Sequence, residues 1–142
     1  MHRRLARILV CGVWLVCGAC SSQPTSPSGA LDGTWSGTLT GDEAGSGSAT
    51  LVLTQRGAGV SGTFAITPPG SEQRTGVVGG TLAASVVLLT FTPSAPLVCS
   101  PAVTFSGVLS ATMAVAGDRM TGTYSSFTCG GAIGGTIDVT RQ

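Results

Sequence analysis

The chain has 142 residues, of which 9% are charged and 5% aromatic, with 22 glycines and a formal net charge of +1. It contains no lysine and no asparagine, and its one histidine is His2. Beyond three arginines close to the N-terminus the other four stand singly, so there is no basic patch for nucleic acid and no polybasic stretch for anionic lipid.

The N-terminal segment has the parts of an export signal. Arg3, Arg4 and Arg7 precede a short apolar run, Ile8 to Cys17, that contains Trp14, Leu15 and Val16; small Gly18 and Ala19 then lead to Cys20. That run is too short to span a bilayer, and the small residues after it mark a cleavage site. Val16-Cys17-Gly18-Ala19-Cys20 resembles a bacterial lipobox, departing from it at Cys17, where the family carries Leu. The resemblance implies cleavage before Cys20, palmitate-type acyl chains on its thiol and acylation of the new amine. Several chains anchor a protein stably where one binds only marginally. Ser21, rather than Asp, follows the lipid-bearing residue, which implies the outer membrane as the address. The chain then divides into a lipoprotein signal peptide at 1–19, the lipidated Cys and a flexible Pro/Ser/Gly tether at 20–30, and a folded domain at 31–142. About ten tether residues reach at most roughly 30–36 Å.

Cleavage before Cys20 removes His2 and three arginines, leaving four arginines against six carboxylates, a net charge of −2. Without His or Lys, the remainder cannot build Ser-His-Asp or Cys-His nucleophiles, Schiff bases or the usual zinc sites. No enzyme activity, metal or cofactor is therefore expected. Asp42-Glu43 reads as a solvated loop tip without calcium-loop spacing. Asp118-Arg119 reads as a turn with a surface ion pair. Gly79-Gly80 and Gly130-Gly131 are not phosphate loops, because no helix follows them.

From Leu31 onward one unit recurs: apolar, any, Gly, Thr, apolar. It stands at Leu31–Trp35, Val60–Phe64, Val78–Leu82, Met120–Tyr124 and Ile133–Ile137, with Val in place of Thr at Phe105–Leu109. The apolar and Gly positions alternate onto one face of a strand, and the Thr falls on the other. Extending the alternation predicts eight strands, near 33–40, 47–55, 59–67, 75–82, 86–92, 102–115, 119–128 and 132–140. Turn signals at Arg56–Gly59, Ala83-Ala84 and Gly117-Asp118 alternate with longer connections at Gly41–Ser46, Pro68–Arg74 and Pro93–Pro101. The expected fold is all-β, an antiparallel up-and-down eight-stranded barrel, with a β-sandwich as the alternative. Short turns and both chain ends collect at one end of such a meander and long loops at the other. The outward rows are mostly hydroxylated, which argues against a membrane-spanning barrel.

Once the signal is removed and Cys20 is lipidated, Cys99 and Cys129 remain, both at the long-loop end of the meander. In an oxidising compartment the expected reading is a disulfide. It closes a segment of about 31 residues and contributes about 3–4 kcal/mol on a chain-entropy argument.

Gly33-Thr34-Trp35, followed by Gly62-Thr63-Phe64, resembles the opening strands of the avidin and lipocalin barrels. The resemblance implies that Trp35 closes a barrel floor and that Arg141, at the end of the last strand, covers it. Biotin binding does not carry over, since those proteins use further tryptophans and only Trp35 follows Cys20. The functional expectation is a membrane-anchored envelope lipoprotein with a non-catalytic barrel, serving as a binding or structural module. Its partner, beyond the membrane reached through the lipid, stays open between an envelope protein, as for a periplasmic enzyme inhibitor, and a small lipophilic ligand carried inside the barrel.

Overall fold

The computed structural model describes residues 29–41, 45–68, 72–99, 103–105, 109–129 and 131–142. The signal segment, Cys20, the tether as far as Ser28 and the Asp42-Glu43 pair lie outside the described residues. The strands are β1 (Gly33–Gly41), β2 (Ser46–Arg56), β3 (Gly59–Thr67), β4 (Arg74–Ala83), β5 (Val86–Pro93), β6 (Leu97–Cys99), β7 (Val103–Phe105), β8 (Leu109–Ala116), β9 (Arg119–Thr128) and β10 (Gly131–Arg141).

Eight of these close a barrel in the order β1-β10-β9-β8-β5-β4-β3-β2, every pair antiparallel. Closure rests on β1, which pairs with β2 on one side and with β10 on the other, so the sheet has no free edge and the sandwich alternative is excluded. Burial follows the alternation: in β2, Ala49, Leu51, Leu53 and Gln55 point inward and are buried, while Thr50, Val52, Thr54 and Arg56 are exposed. Phe64 and Phe91 meet edge to face across the core, ring centroids 5.3 Å apart.

Two inward glycines show why the repeat needs its central residue. A Cβ on Gly62 would sit 1.9 Å from the carbonyl oxygen of Val52, and one on Gly122 1.9 Å from that of Thr112. The neighbouring backbone fills the space a side chain would take. These glycines let the strands coil tightly enough to close the barrel.

The long sixth strand expected over 102–115 is divided. Its C-terminal part is β8; its N-terminal part, β7, pairs with β6 in a separate two-stranded ladder. The β5–β8 ladder runs from Val86↔Ala114 to Phe91↔Leu109. Continued in that register, Gly107 would face Pro93 and Phe105 would face Ala95, beside Pro96. Neither proline has an amide hydrogen to give to a ladder. Pairing resumes beyond them as Leu97↔Phe105 and Cys99↔Val103, slipped by two residues.

One end of the barrel carries the two-residue turns Gly57-Ala58, Ala84-Ser85 and Gly117-Asp118, together with Leu31 and the C-terminal Gln142. The first residue of each turn has positive φ (59°, 53° and 61°), the form that follows the twist of the flanking strands. The other end carries the β1–β2, β3–β4 and β5–β8 connections. It also carries one tight turn the simple meander did not anticipate, since Thr128 pairs with Gly131 and β9 therefore passes to β10 through Cys129 and Gly130 alone.

Candidate functional site

The turn Gly29–Asp32 packs across the tight-turn end. Leu31 is fully buried, and the Asp32 amide donates to the Gly29 carbonyl at 3.1 Å. Trp35, also fully buried, donates its indole Nε1–H to the Leu31 carbonyl at 2.9 Å. The guanidinium of Arg141 lies over the Trp35 ring with Cζ 4.7 Å from the centroid. It donates to the carbonyls of Asp32, at 2.6 Å, and Ala30. Asp118 Oδ1 lies 3.0 Å from Arg141 Nε, an ion pair without the alignment of a hydrogen bond. The expected partners Trp35 and Arg141 thus meet, in a cation–π stack of the kind that contributes about 0.5–2 kcal/mol according to its desolvation.

Three residues of this closed end were not foreseen. Gln55 is 3% exposed; its Oε1 accepts from the Leu31 amide at 3.1 Å and its Nε2 donates to the Gly57 carbonyl at 2.7 Å. Asp32 Oδ1 accepts from the Gln55 amide, and Asp118 holds Arg141. A signal for Gln55 was available: it breaks the inward row Ala49, Leu51, Leu53 with a polar side chain at the last turn before the strand ends. A buried amide at such a place must find partners.

The opposite end is built differently. The inward residues nearest it, Leu39, Ile66 and Phe91, are as buried as those near Trp35. Outside them, the β3–β4 and β5–β6 connections border an open recess of about 280 Å³ lined by Glu72, Arg74, Thr75, Pro93 and Pro96. The Ser94 amide donates to the Thr75 carbonyl at 2.9 Å and holds its two walls together. Cys99 ends β6 and Cys129 follows β9, so the chain path places both at this end.

Asp118 and Arg119 are adjacent but do not pair with each other. Arg119 bonds Asp138 on β10, with Nε donating to Oδ1 at 2.9 Å and the second nitrogen to Oδ2. That bond, ahead of the simple charge attraction, holds the Asp138 carboxyl below its ordinary range and raises the Arg119 guanidinium. Both side chains are well exposed. Among the described residues, no three His, Cys, Asp or Glu side chains gather in a metal-binding arrangement.

The closed barrel is compatible with the avidin- and lipocalin-like plan in architecture. No protein-family model, no curated protein and no solved structure matches the chain.

Proposed function

We propose that the chain is a lipoprotein of the bacterial envelope, anchored through Cys20 in the outer membrane, whose barrel is a non-catalytic binding or structural module. The observation that carries this reading is the place where the N-terminal segment joins the barrel. Residues 29–32 are strapped across the closed end by Arg141, Gln55 and Trp35. A short leash from Cys20 therefore ends at the closed end, turning it toward the membrane and the long connections away from it. Residues 1–19 are the signal and 20–30 the leash. The test is metabolic labelling of the full chain with tagged palmitate. Label and detergent-phase partitioning are expected in the wild type and lost in Cys20→Ala; an unlabelled wild-type chain defeats the proposal.

Of the two kinds of partner, an envelope protein, as for a periplasmic enzyme inhibitor, is favoured over a small lipophilic ligand. Buried inward rows support a filled interior, whereas the recess and the β6–β7 ladder stand at the outward end. Titration with a lipophilic fluorophore is expected to give no saturable signal; a saturable one would restore the carrier reading.

Cys99 and Cys129 are proposed as a disulfide steadying that end. The reading is supported by the chain path, in which β6 ends at Cys99 and Cys129 directly follows β9, at the same end of the barrel. Alkylation of both thiols only after reduction is the expected result.

A further inference from the structure

We infer that one wall of the barrel, formed by β3, β4, β5 and β8, is a self-association face that joins two copies side by side on the same membrane. The outward positions of these four neighbouring strands carry no ionisable side chain. The other four strands carry Arg56, Arg119 and Asp138 on their outer surface. The same wall holds Val77 at 59% exposure, Leu88 at 53% and Val86 at 44%. Val52, 48% exposed, adjoins it through Thr63, which pairs with both Val52 and Val77. Four of the five exposed large apolar residues among those described therefore gather on or beside the charge-free wall.

A surface of hydroxyls, valines and leucine without charge has the composition of an interface centre, where charged groups are depleted. Burying it strips no ion of its water and brings no like charges together. Four strands spaced about 4.8 Å apart and about 30 Å long present roughly 600 Å², the scale of the smaller stable interfaces per partner. A second copy of this chain is the occupant the geometry selects. The wall runs along the strands, and the N-terminal segment enters at the closed end. Copies leashed by that end in one membrane turn their walls to each other sideways. A two-fold axis along the membrane normal keeps both closed ends on the membrane side.

The parallel arrangement rests on the lipoprotein reading; the face itself does not. The test uses the full chain in detergent micelles with a bis-maleimide cross-linker. Thr90→Cys, central on the wall, is expected to cross-link into a dimer, whereas Thr123→Cys, on the outer surface of β9, is not. Val77→Asp combined with Leu88→Asp is expected to weaken self-association at least 30-fold by sedimentation, with the Trp35 near-ultraviolet signal retained as evidence of folding. A chain that stays monomeric at every concentration, or equal cross-linking from both cysteine positions, overturns the face. Repeating the Thr90→Cys measurement in Cys20→Ala separates the two readings. Missing acylation in the wild type removes the membrane orientation, and missing cross-links in both backgrounds remove the dimer.

Discussion

The two ends of the barrel close the same wall by different means. At the tight-turn end, two-residue turns bring strands together with almost no loop, and the turn before β1 is folded underneath them. There Leu31 supplies the apolar plug, and Gln55, Asp32, Trp35 and Arg141 take up the polar groups that the plug brings with it. At the far end the connections lengthen, prolines interrupt the β5–β8 ladder, and the surface opens into a recess. Neither end is short of buried apolar residues. What marks the tight-turn end is that side chains reaching across the chain fix its backbone, whereas the described residues of the far end border an open recess at the surface, where recognition is usually placed.

Substitutions can break that comparison, and the largest effect falls on the wall the two ends share. Gly122→Ala puts a methyl group 1.9 Å from the Thr112 carbonyl oxygen, and backbone, unlike a flexible side chain, cannot step aside locally. A loss of about 4 kcal/mol or more is expected in denaturant unfolding, near the top of the range for single changes. The contrast between the ends gives the next effect. Arg141→Ala removes the stack on Trp35 and both bonds to the Ala30 and Asp32 carbonyls. It is expected to cost about 2–3 kcal/mol. Glu72→Ala, at the recess, is expected to change stability by no more than about 0.5 kcal/mol. Equal costs at the two positions would mean that the closed end has no special role in holding the barrel.

How much of this was legible depends on whether a feature is local. The eight-stranded wall was readable because apolar residues alternate with period two along the chain, most visibly in the apolar-x-Gly-Thr-apolar units, and the side chains of Trp35, Phe64 and Met120 fall inward as that period requires. The break at 93–108 was not, since Phe105-Ser-Gly107-Val-Leu109 copies the unit and nothing within it reveals that its partner strand would present Pro93. Trp35 and Arg141 came to attention through a three-residue resemblance, not through spacing. The bonds of Arg141 to the Ala30 and Asp32 carbonyls join residues more than a hundred positions apart, and only closure of the sheet brings them together. Gln55 was visible as an interruption in its row, but the amide it serves, that of Leu31, was not.

A smaller effect sharpens the picture of the tight-turn end. Gly57 and Gly117 open their turns with positive φ, and Ala84 does the same at 53°. A left-handed conformation costs an L-residue about 1–2 kcal/mol, whereas glycine costs about 0.4–1 kcal/mol more unfolded-chain entropy than alanine. The first quantity exceeds the second, so Ala84→Gly is expected to stabilise the barrel by about 0.5–1 kcal/mol, read as a raised unfolding midpoint. A lowered midpoint would place the entropy term ahead at this turn.

The smallest effect concerns the Arg119–Asp138 pair, which lies on the outer surface near the tight-turn end and takes no part in the bonds that strap residues 29–32 across it. Arg119 holds the Asp138 carboxyl below its ordinary value of 3.8 in the folded chain, chiefly through their hydrogen bond. A carboxyl depressed by folding contributes stability that is fully present above its unfolded value and is lost as pH falls through the folded one. Both groups are open to solvent, which screens the attraction and keeps the gain small. Asp138→Asn is therefore expected to leave the melting temperature slightly and uniformly lower above about pH 5, the ordinary carboxylate range having been passed. Below that range the wild-type curve should descend to meet it, once the Asp138 carboxylate takes up its proton. Comparing the two proteins cancels the other carboxylates, so a separation that persisted in strong acid would show that the asparagine disturbs the strand itself and that the ion pair is not the source of the difference.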